Sequence, residues 1–109
     1  MSVLLKRIVP EDDRHTYINE RTRVEVVPDA VMTYKIPCHK RASPCKIYFK
    51  YPEGQDTADL MVYVSSYDAN PSASKYEIRA SRPQFITVEE PGKVSSAFTN
   101  FNIFITFES

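Results

Sequence analysis

Glycine, cysteine and long apolar runs are scarce in this sequence, and each shortage excludes a class of protein. Two glycines cannot build a glycine-rich phosphate loop, so a nucleotide site of that kind is excluded. Two cysteines are too few for the disulfide framework of a small secreted domain. No apolar run approaches the roughly 18 residues that a membrane helix needs. The N-terminal apolar patch is broken by Lys6 and Arg7, so it lacks the uncharged core of a secretory signal.

Net charge is also absent, because 14 lysines and arginines balance 14 aspartates and glutamates. Binding to phosphates needs a concentrated positive field, so the neutral total predicts no nucleic-acid partner. A cluster of basic residues surrounds the first cysteine, and we interpret it as a solvated loop. With no membrane segment expected, these properties predict a cytoplasmic protein of one domain. The cluster consists of Lys35, His39, Lys40, Arg41 and Lys46.

What the sequence does contain is alternation of apolar and polar residues with a period of two. In "CKIYFKY" (45–51), for example, Ile47 and Phe49 alternate with lysines and a tyrosine. Such segments recur at intervals of about ten residues, which is typical of antiparallel sandwiches and barrels. We therefore predict an all-β fold, a jelly-roll-like antiparallel β-sandwich of about seven to eight short strands. The segments are 22–27, 31–36, 45–51, 59–65, 75–80, 84–89 and 101–107.

The first 21 residues differ from the rest. Residues 11–21 are polar and carry no helical apolar stripe, so we interpret them as a linker or a single helical turn. Residues 3–9 form an eighth extended segment. It is either an extra edge strand of the same fold or an arm that pairs with a neighbouring subunit. We predict an arm and linker over 1–21 and a sandwich domain over 22–109.

Cys38 and Cys45 are the first candidates for chemistry. Structural zinc prefers a closer cysteine pair and a second pair of ligands, so we predict no metal there. A disulfide is geometrically open to them, although a reducing compartment favours free thiols. A nucleophilic Cys38 would need His39 or His15 as its base, and none of these lies in a recognisable nucleophile turn. We expect no enzyme activity, no cofactor and no small-molecule substrate.

Asp56 and Asp59 precede an alternating apolar run in "DTADLMVYVSS", and they are candidates for calcium binding. Calcium requires about six to eight oxygen ligands, usually from several carboxylates. Glu53 and Asp68 lie nearby in sequence, but the spacing is not that of an EF-hand. We interpret Asp56 as a residue that bonds turn amides and Asp59 as the start of a strand, and we predict no metal site.

The tyrosines fall mostly on the faces of predicted strands. Tyr34, Tyr48, Tyr51 and Tyr63 could form an exposed aromatic face for a partner. Packing in the core or against neighbouring strands is the simpler interpretation for most of them.

The segment "ADLMVYVSSYDANPSASKYEIRASRPQFITV" (58–88) resembles β-sandwich domains of the PPC-like (pre-peptidase C-terminal-like) group, and the resemblance covers roughly residues 31 to 109. Members of this group are non-catalytic modules. Bacterial members are appended to secreted enzymes, and similar protist sequences look like parts of ciliary or cytoskeletal proteins. Met61 stands where many members have a second acid, which argues against calcium. Many members also continue with another strand beyond the position of Ser109, so we expect the sheet to keep an open final edge. The other matching pieces are "YKIP" (34–37), "PCKIYFKYPEGQDTADLMVYVS" (44–65) and "FNIFITFES" (101–109).

This resemblance and the expected open edge together indicate a non-catalytic structural or scaffolding protein, a small subunit of a larger assembly. The resemblance implies a ciliary, axonemal or microtubule-associated setting, with tubulin or axonemal proteins as partners. The alternative is a calcium- or carbohydrate-binding accessory module. The residues expected to contact partners lie in the arm, the basic loop and the final strand. They are Val3, Leu4, Leu5, Ile8, His39, Lys40, Arg41, Phe104 and Thr106.

Overall fold

A computed structural model describes residues 1–10, 17–27, 29–39, 44–54, 59–89 and 100–109. These residues form eight β-strands and contain no helix, so none among them is a membrane-spanning helix. The strands are β1 (Ser2–Pro10), β2 (Tyr17–Glu25), β3 (Val31–His39), β4 (Cys45–Lys50), β5 (Met61–Ser65), β6 (Ile78–Ser81), β7 (Phe85–Val88) and β8 (Asn100–Glu108).

The strands make two antiparallel sheets of four, which confirms the predicted all-β antiparallel sandwich. The first sheet has the order β2-β1-β4-β7 and the second has the order β3-β8-β5-β6. The inner faces of the two sheets pack together, as the period-two pattern requires. In β4, for example, Cys45, Ile47 and Phe49 are buried while the residues between them are exposed.

The core fills the space between the sheets with aliphatic and aromatic side chains. Phe107 lies at its centre and is fully buried, with its ring edge-on to those of Phe49 and Tyr34 at centroid distances of 6.3 and 6.1 Å. Because Phe107 and Tyr34 come from the second sheet and Phe49 comes from the first, these rings connect the two layers.

The N-terminal segment is not an arm. β1 pairs with β2 on one side and with β4 on the other, so it is an interior strand of the first sheet. Val3 and Leu5 have no exposed surface. The boundary predicted at residue 21 falls inside β2, because Tyr17–Glu25 is a strand rather than a linker. Polar residues dominate β2, which lies at the edge of the sheet, and among its described side chains only Val24 is buried.

The final strand also differs from the prediction. β8 lies between β3 and β5, so it is interior and leaves no open edge of its own. Thr106 is buried, and its hydroxyl is 2.8 Å from that of Thr33 on β3. Among the described strands, the sheet edges are β2 and β7 in the first sheet and β3 and β6 in the second.

Candidate functional site

The two cysteines form a disulfide, so the preference for free thiols is wrong. Cys38 lies near the end of β3 and Cys45 begins β4, and both side chains are buried. Their Cα atoms are 6.1 Å apart, within the usual range for a disulfide. The bonded sulfurs offer no thiolate for nucleophilic attack or for zinc. Residues 40–43 and the side chain of His39 lie outside the described part of the chain, and so do the predicted contacts at Lys40 and Arg41.

The acidic stretch before β5 is only partly described. Asp56 belongs to residues 55–58, which lie outside the described part of the chain, so its bonds to turn amides stay a prediction. Asp59 is exposed and is followed by buried Leu60, and the strand itself begins at Met61. Within the described residues, no group of three or more acidic, histidine or cysteine side chains is placed to hold a metal ion.

Asp68, the next acid along the chain, shapes the loop between β5 and β6. Its carboxylate accepts a hydrogen bond from the backbone N–H of Asn70 at 2.9 Å and pairs with Lys75 Nζ at 2.9 Å. The Asn70 amide and the Lys75 ammonium together lower the pKa of this carboxyl. Asp68 therefore stabilises the turn in the way expected of a loop aspartate.

The same loop encloses a shallow depression of about 560 Å³. Tyr67 and Tyr76 are both exposed beside it, and the ring of Tyr76 lies 5.9 Å from that of Tyr63 on β5. The carboxylate of Glu77 accepts hydrogen bonds from the backbone N–H and the hydroxyl of Ser66, at 3.0 and 2.8 Å. The depression thus presents two tyrosine rings, while its acidic groups already bond to the loop itself.

A buried arginine lies on the inner side of the first sheet, and the sequence patterns did not reveal it. Arg7 is only 2% exposed, and it donates to Thr22 Oγ1 at 3.0 Å and to Glu20 Oε1 at 2.9 Å. Its Nε has no hydrogen-bond partner among the described residues. Burial lowers the pKa of the guanidinium, and the nearby Glu20 carboxylate partly opposes that shift. The strand register brings these two charged side chains together, because Arg7 and Glu20 are directly opposite each other on β1 and β2.

The outer face of the first sheet brings together basic residues from three strands. Leu4 is opposite Arg23 on one side and Lys50 on the other, and Lys6 is opposite Arg21. Residues that are directly opposite in neighbouring strands share a face of the sheet. We name this surface the basic face, and it consists of Leu4, Lys6, Arg21, Arg23, Lys46, Tyr48, Lys50 and Phe85.

Few of the described acidic residues lie near the basic face. None of its lysines and arginines forms an ion pair with a described carboxylate. Glu25 lies at one end of this face, opposite Ser2, and its carboxylate is 3.9 Å from the N-terminal amino group instead. As far as the described residues go, the positive charges of the face are therefore left for a partner or for solvent.

Two aromatic rings complete the basic face. Lys46 Nζ lies 4.3 Å from the ring centre of Phe85 and 5.3 Å from that of Tyr48. The two rings are cross-strand neighbours, and each keeps about half of its surface exposed. The arrangement holds an ammonium group over two aromatic rings, a favourable cation–π geometry.

No protein family, curated protein or solved structure matches this chain. The resemblance to PPC-like domains therefore stays a prediction.

The predicted contact residues occupy different environments. Leu4 is half-buried on the basic face, and Phe104 is half-buried on β8. Val3, Leu5 and Thr106 are buried, so a partner of the folded domain has no access to them. The side chain of Ile8 lies outside the described residues. Val3, Leu5 and Thr106 lie on interior strands, and the pattern within a single strand does not reveal which strands are interior.

Proposed function

We propose that this protein is a non-catalytic structural subunit of a larger assembly and that it binds another protein through the edge of β2. The observation that carries the proposal is a difference among the sheet edges. β2 is nine residues long and contains no proline, whereas β6 and β7 have four residues each. β3 has nine residues but contains Pro37, which cannot donate a ladder hydrogen bond.

An edge strand presents unpaired backbone groups, and many proteins bind by adding a strand to such an edge. The exposed charges of β2 restrict which strand can be added, since Glu20, Arg21 and Arg23 would repel a like-charged neighbour. Short edges and prolines suppress pairing. β2 is therefore the edge in the described part of the chain that is best suited to a selective partner.

Two further observations support a role without catalysis. Cys38 and Cys45 are joined, and Asp68 pairs with Lys75, so side chains that the sequence offered for chemistry have structural roles. The ciliary, axonemal or microtubule setting, with tubulin or axonemal proteins as partners, rests on the resemblance to PPC-like sequences alone.

Photo-crosslinking followed by amide hydrogen exchange tests this proposal. A photoreactive residue replaces Arg23 on β2, and a matched control replaces exposed Thr87 on β7, the opposite edge of the same sheet. We expect a discrete crosslinked protein from position 23 and none from position 87. In the purified complex, the amides of β2 should exchange more slowly than in the free protein. Equal crosslinking at both positions, or unchanged exchange in β2, would contradict strand addition.

A carbohydrate-binding accessory module is the second candidate, and the exposed rings of Tyr67 and Tyr76 favour it. Aromatic rings beside a depression can stack on sugar rings. Affinity electrophoresis in gels that contain soluble polysaccharides distinguishes this candidate from the first. Retardation that disappears in Tyr67→Ala but persists in Phe85→Ala, an exposed ring on the basic face, would support the carbohydrate role and count against our preference.

A further inference from the structure

The basic face concentrates positive charge in a chain whose net charge is zero. Arg21, Arg23, Lys46 and Lys50 are exposed there, and Lys6 is half-buried among them. The total charge therefore hides a local positive field. A field of this kind attracts anionic partners even when the whole molecule is neutral.

The cations are arranged in rows that follow the strand geometry. Arg23, Leu4 and Lys50 form one row across the sheet, and Arg21, Lys6 and Tyr48 form the next. Successive rows are two residues apart, which corresponds to roughly 6.8 Å along the strand. An extended polypeptide places its alternate side chains at this same spacing of about 6.8 Å. An extended chain with alternating carboxylates thus matches the rows.

The middle of this surface is concave. A depression of about 410 Å³ is lined by Leu4 and Tyr48 together with Lys6, Arg21 and Lys50. Its apolar groups are flanked by cations from three strands. This combination suits an apolar side chain that is flanked by carboxylates, because the apolar group loses contact with water while each acid meets a cation.

The aromatic rings argue against a nucleic acid as the occupant. Sequence-tolerant binding of single strands relies on bases that stack on open aromatic faces. Lys46 lies over the rings of both Phe85 and Tyr48, so a stacking base would have to displace it. Leu4 lines the depression and is half-buried, so it does not project as an apolar group that could insert into a lipid surface.

We propose that the basic face binds an acidic, extended polypeptide segment of a partner protein. Its carboxylates pair with Lys6, Arg21 and Lys50, and one apolar side chain lies over Leu4 and Tyr48. This inference rests on the proposed function, since it specifies a class of protein partner. It uses side chains on the face of the sheet, whereas strand addition uses the backbone at its edge.

Fluorescence anisotropy with defined probes tests the inference. The main probe is a labelled peptide of about ten residues in which glutamate alternates with serine around one central tyrosine. The control peptide has glutamine in place of glutamate. We expect the acidic peptide to bind, the glutamine peptide to bind at least about tenfold more weakly, and added salt to weaken the acidic complex.

Charge reversal locates the site. Lys6→Glu combined with Lys50→Glu should weaken binding of the acidic peptide by about tenfold or more. The matched control is Lys35→Glu with Arg79→Glu, two exposed cations on the second sheet, and it should leave the affinity within about twofold of the original. Circular dichroism and thermal melting verify that both double variants are folded.

Besides an absence of peptide binding, three results would overturn the inference. These are equal weakening by the two double variants, tighter binding to an oligothymidylate of similar length, and tighter binding to phosphatidylserine vesicles than to the peptide. None of these results bears on strand addition, which is measured by amide exchange in β2. Conversely, the acidic peptide could bind while the amides of β2 exchange equally fast in the free protein and in the purified complex. That outcome would support binding at the basic face and reject strand addition at the edge of β2.

Discussion

Cys38 on β3 and Cys45 on β4 are joined by a disulfide that links the two sheets of the sandwich. The bond closes a short loop, because the two residues are only seven positions apart. A short loop limits the entropy that the crosslink removes from the unfolded chain. The disulfide therefore makes only a limited contribution to stability, at the end of the core where β3 is followed by β4. The remaining stability must come from packing.

Reduction of this disulfide should lower the free energy of unfolding by about 2 kcal/mol without unfolding the domain. The measurement is urea denaturation followed by circular dichroism, with and without dithiothreitol. The double variant Cys38→Ala with Cys45→Ala is the control, since dithiothreitol should leave its midpoint unchanged. A domain that unfolds completely on reduction would show that the packed core is weaker than we expect.

Truncation of Phe107 should be far more damaging than truncation of an exposed ring. Phe107 is fully buried against Phe49 and Tyr34, so Phe107→Ala should cost about 3 to 5 kcal/mol. Phe85→Ala is the matched control, and it should change stability by less than about 1 kcal/mol because half of that ring is exposed. Chemical denaturation of both variants gives the comparison, and similar losses would mean that Phe107 does not lie at the centre of the core.

When Arg7 is replaced, the change in stability should depend on the shape of the new side chain more than on its charge. The guanidinium is buried, and its Nε has no partner among the described residues, so part of its desolvation is uncompensated. Arg7→Met should leave stability within about 1 kcal/mol of the original or raise it, whereas Arg7→Ala should lose about 2 kcal/mol or more through the cavity. Thermal and urea unfolding measure the stability of the two variants. A methionine variant as unstable as the alanine variant would show that the ion pair with Glu20 is itself required.

Tyr51 should contribute to the alkaline limit of stability. Burial raises the pKa of its phenol well above the ordinary 10.0, and the hydroxyl donates to the carbonyl of Pro83 at 2.6 Å. A raised pKa in the folded state means that the contribution is complete below about pH 10, where the unfolded phenol is still neutral. It declines as the pH rises above that value, since the unfolded state ionises first.

Tyr51→Phe removes both the hydrogen bond and this titration. The variant should be less stable than the original by about 1 kcal/mol at neutral pH. The difference between the two proteins should narrow above about pH 10, because only the original loses stability through this phenol. Urea midpoints measured from neutral to alkaline pH provide the check. A difference that stays constant over the whole range would mean that the phenol of Tyr51 titrates normally.

Alternation within a single strand predicted the fold class well. In β4, Ile47 and Phe49 face the core while Lys46 and Tyr48 face outwards, and this difference between the two faces is visible in the sequence itself. The first half of β2, residues 17–21, was missed because an edge strand with charges on both faces has no such contrast. The carboxylate of Glu20 accepts a hydrogen bond from Arg7, which lies on a different strand, so the reason for this charge is not visible within β2.

The location of surfaces was predicted poorly, for a related physical reason. Strand order depends on pairing between segments that are distant in sequence, and the pattern within a strand carries little information about it. The basic face exists because β1 brings Lys6 between Arg21 on β2 and Tyr48 on β4. The open final edge was expected from the resemblance to PPC-like domains, and the pattern within β8 could not show that it is an interior strand.

The interior position of β8 also constrains the order of events during synthesis. Three adjacent strands of the first sheet, β2, β1 and β4, end by Lys50, so they can pair long before β8 is available. The second sheet cannot form so early, because β3 and β5 meet only through β8. Until β8 leaves the ribosome, the apolar inner sides of β3 and β5 have no strand between them. We expect this half of the sandwich to depend most on chaperones, because long-range β pairing is slow and exposes apolar surface while it is incomplete.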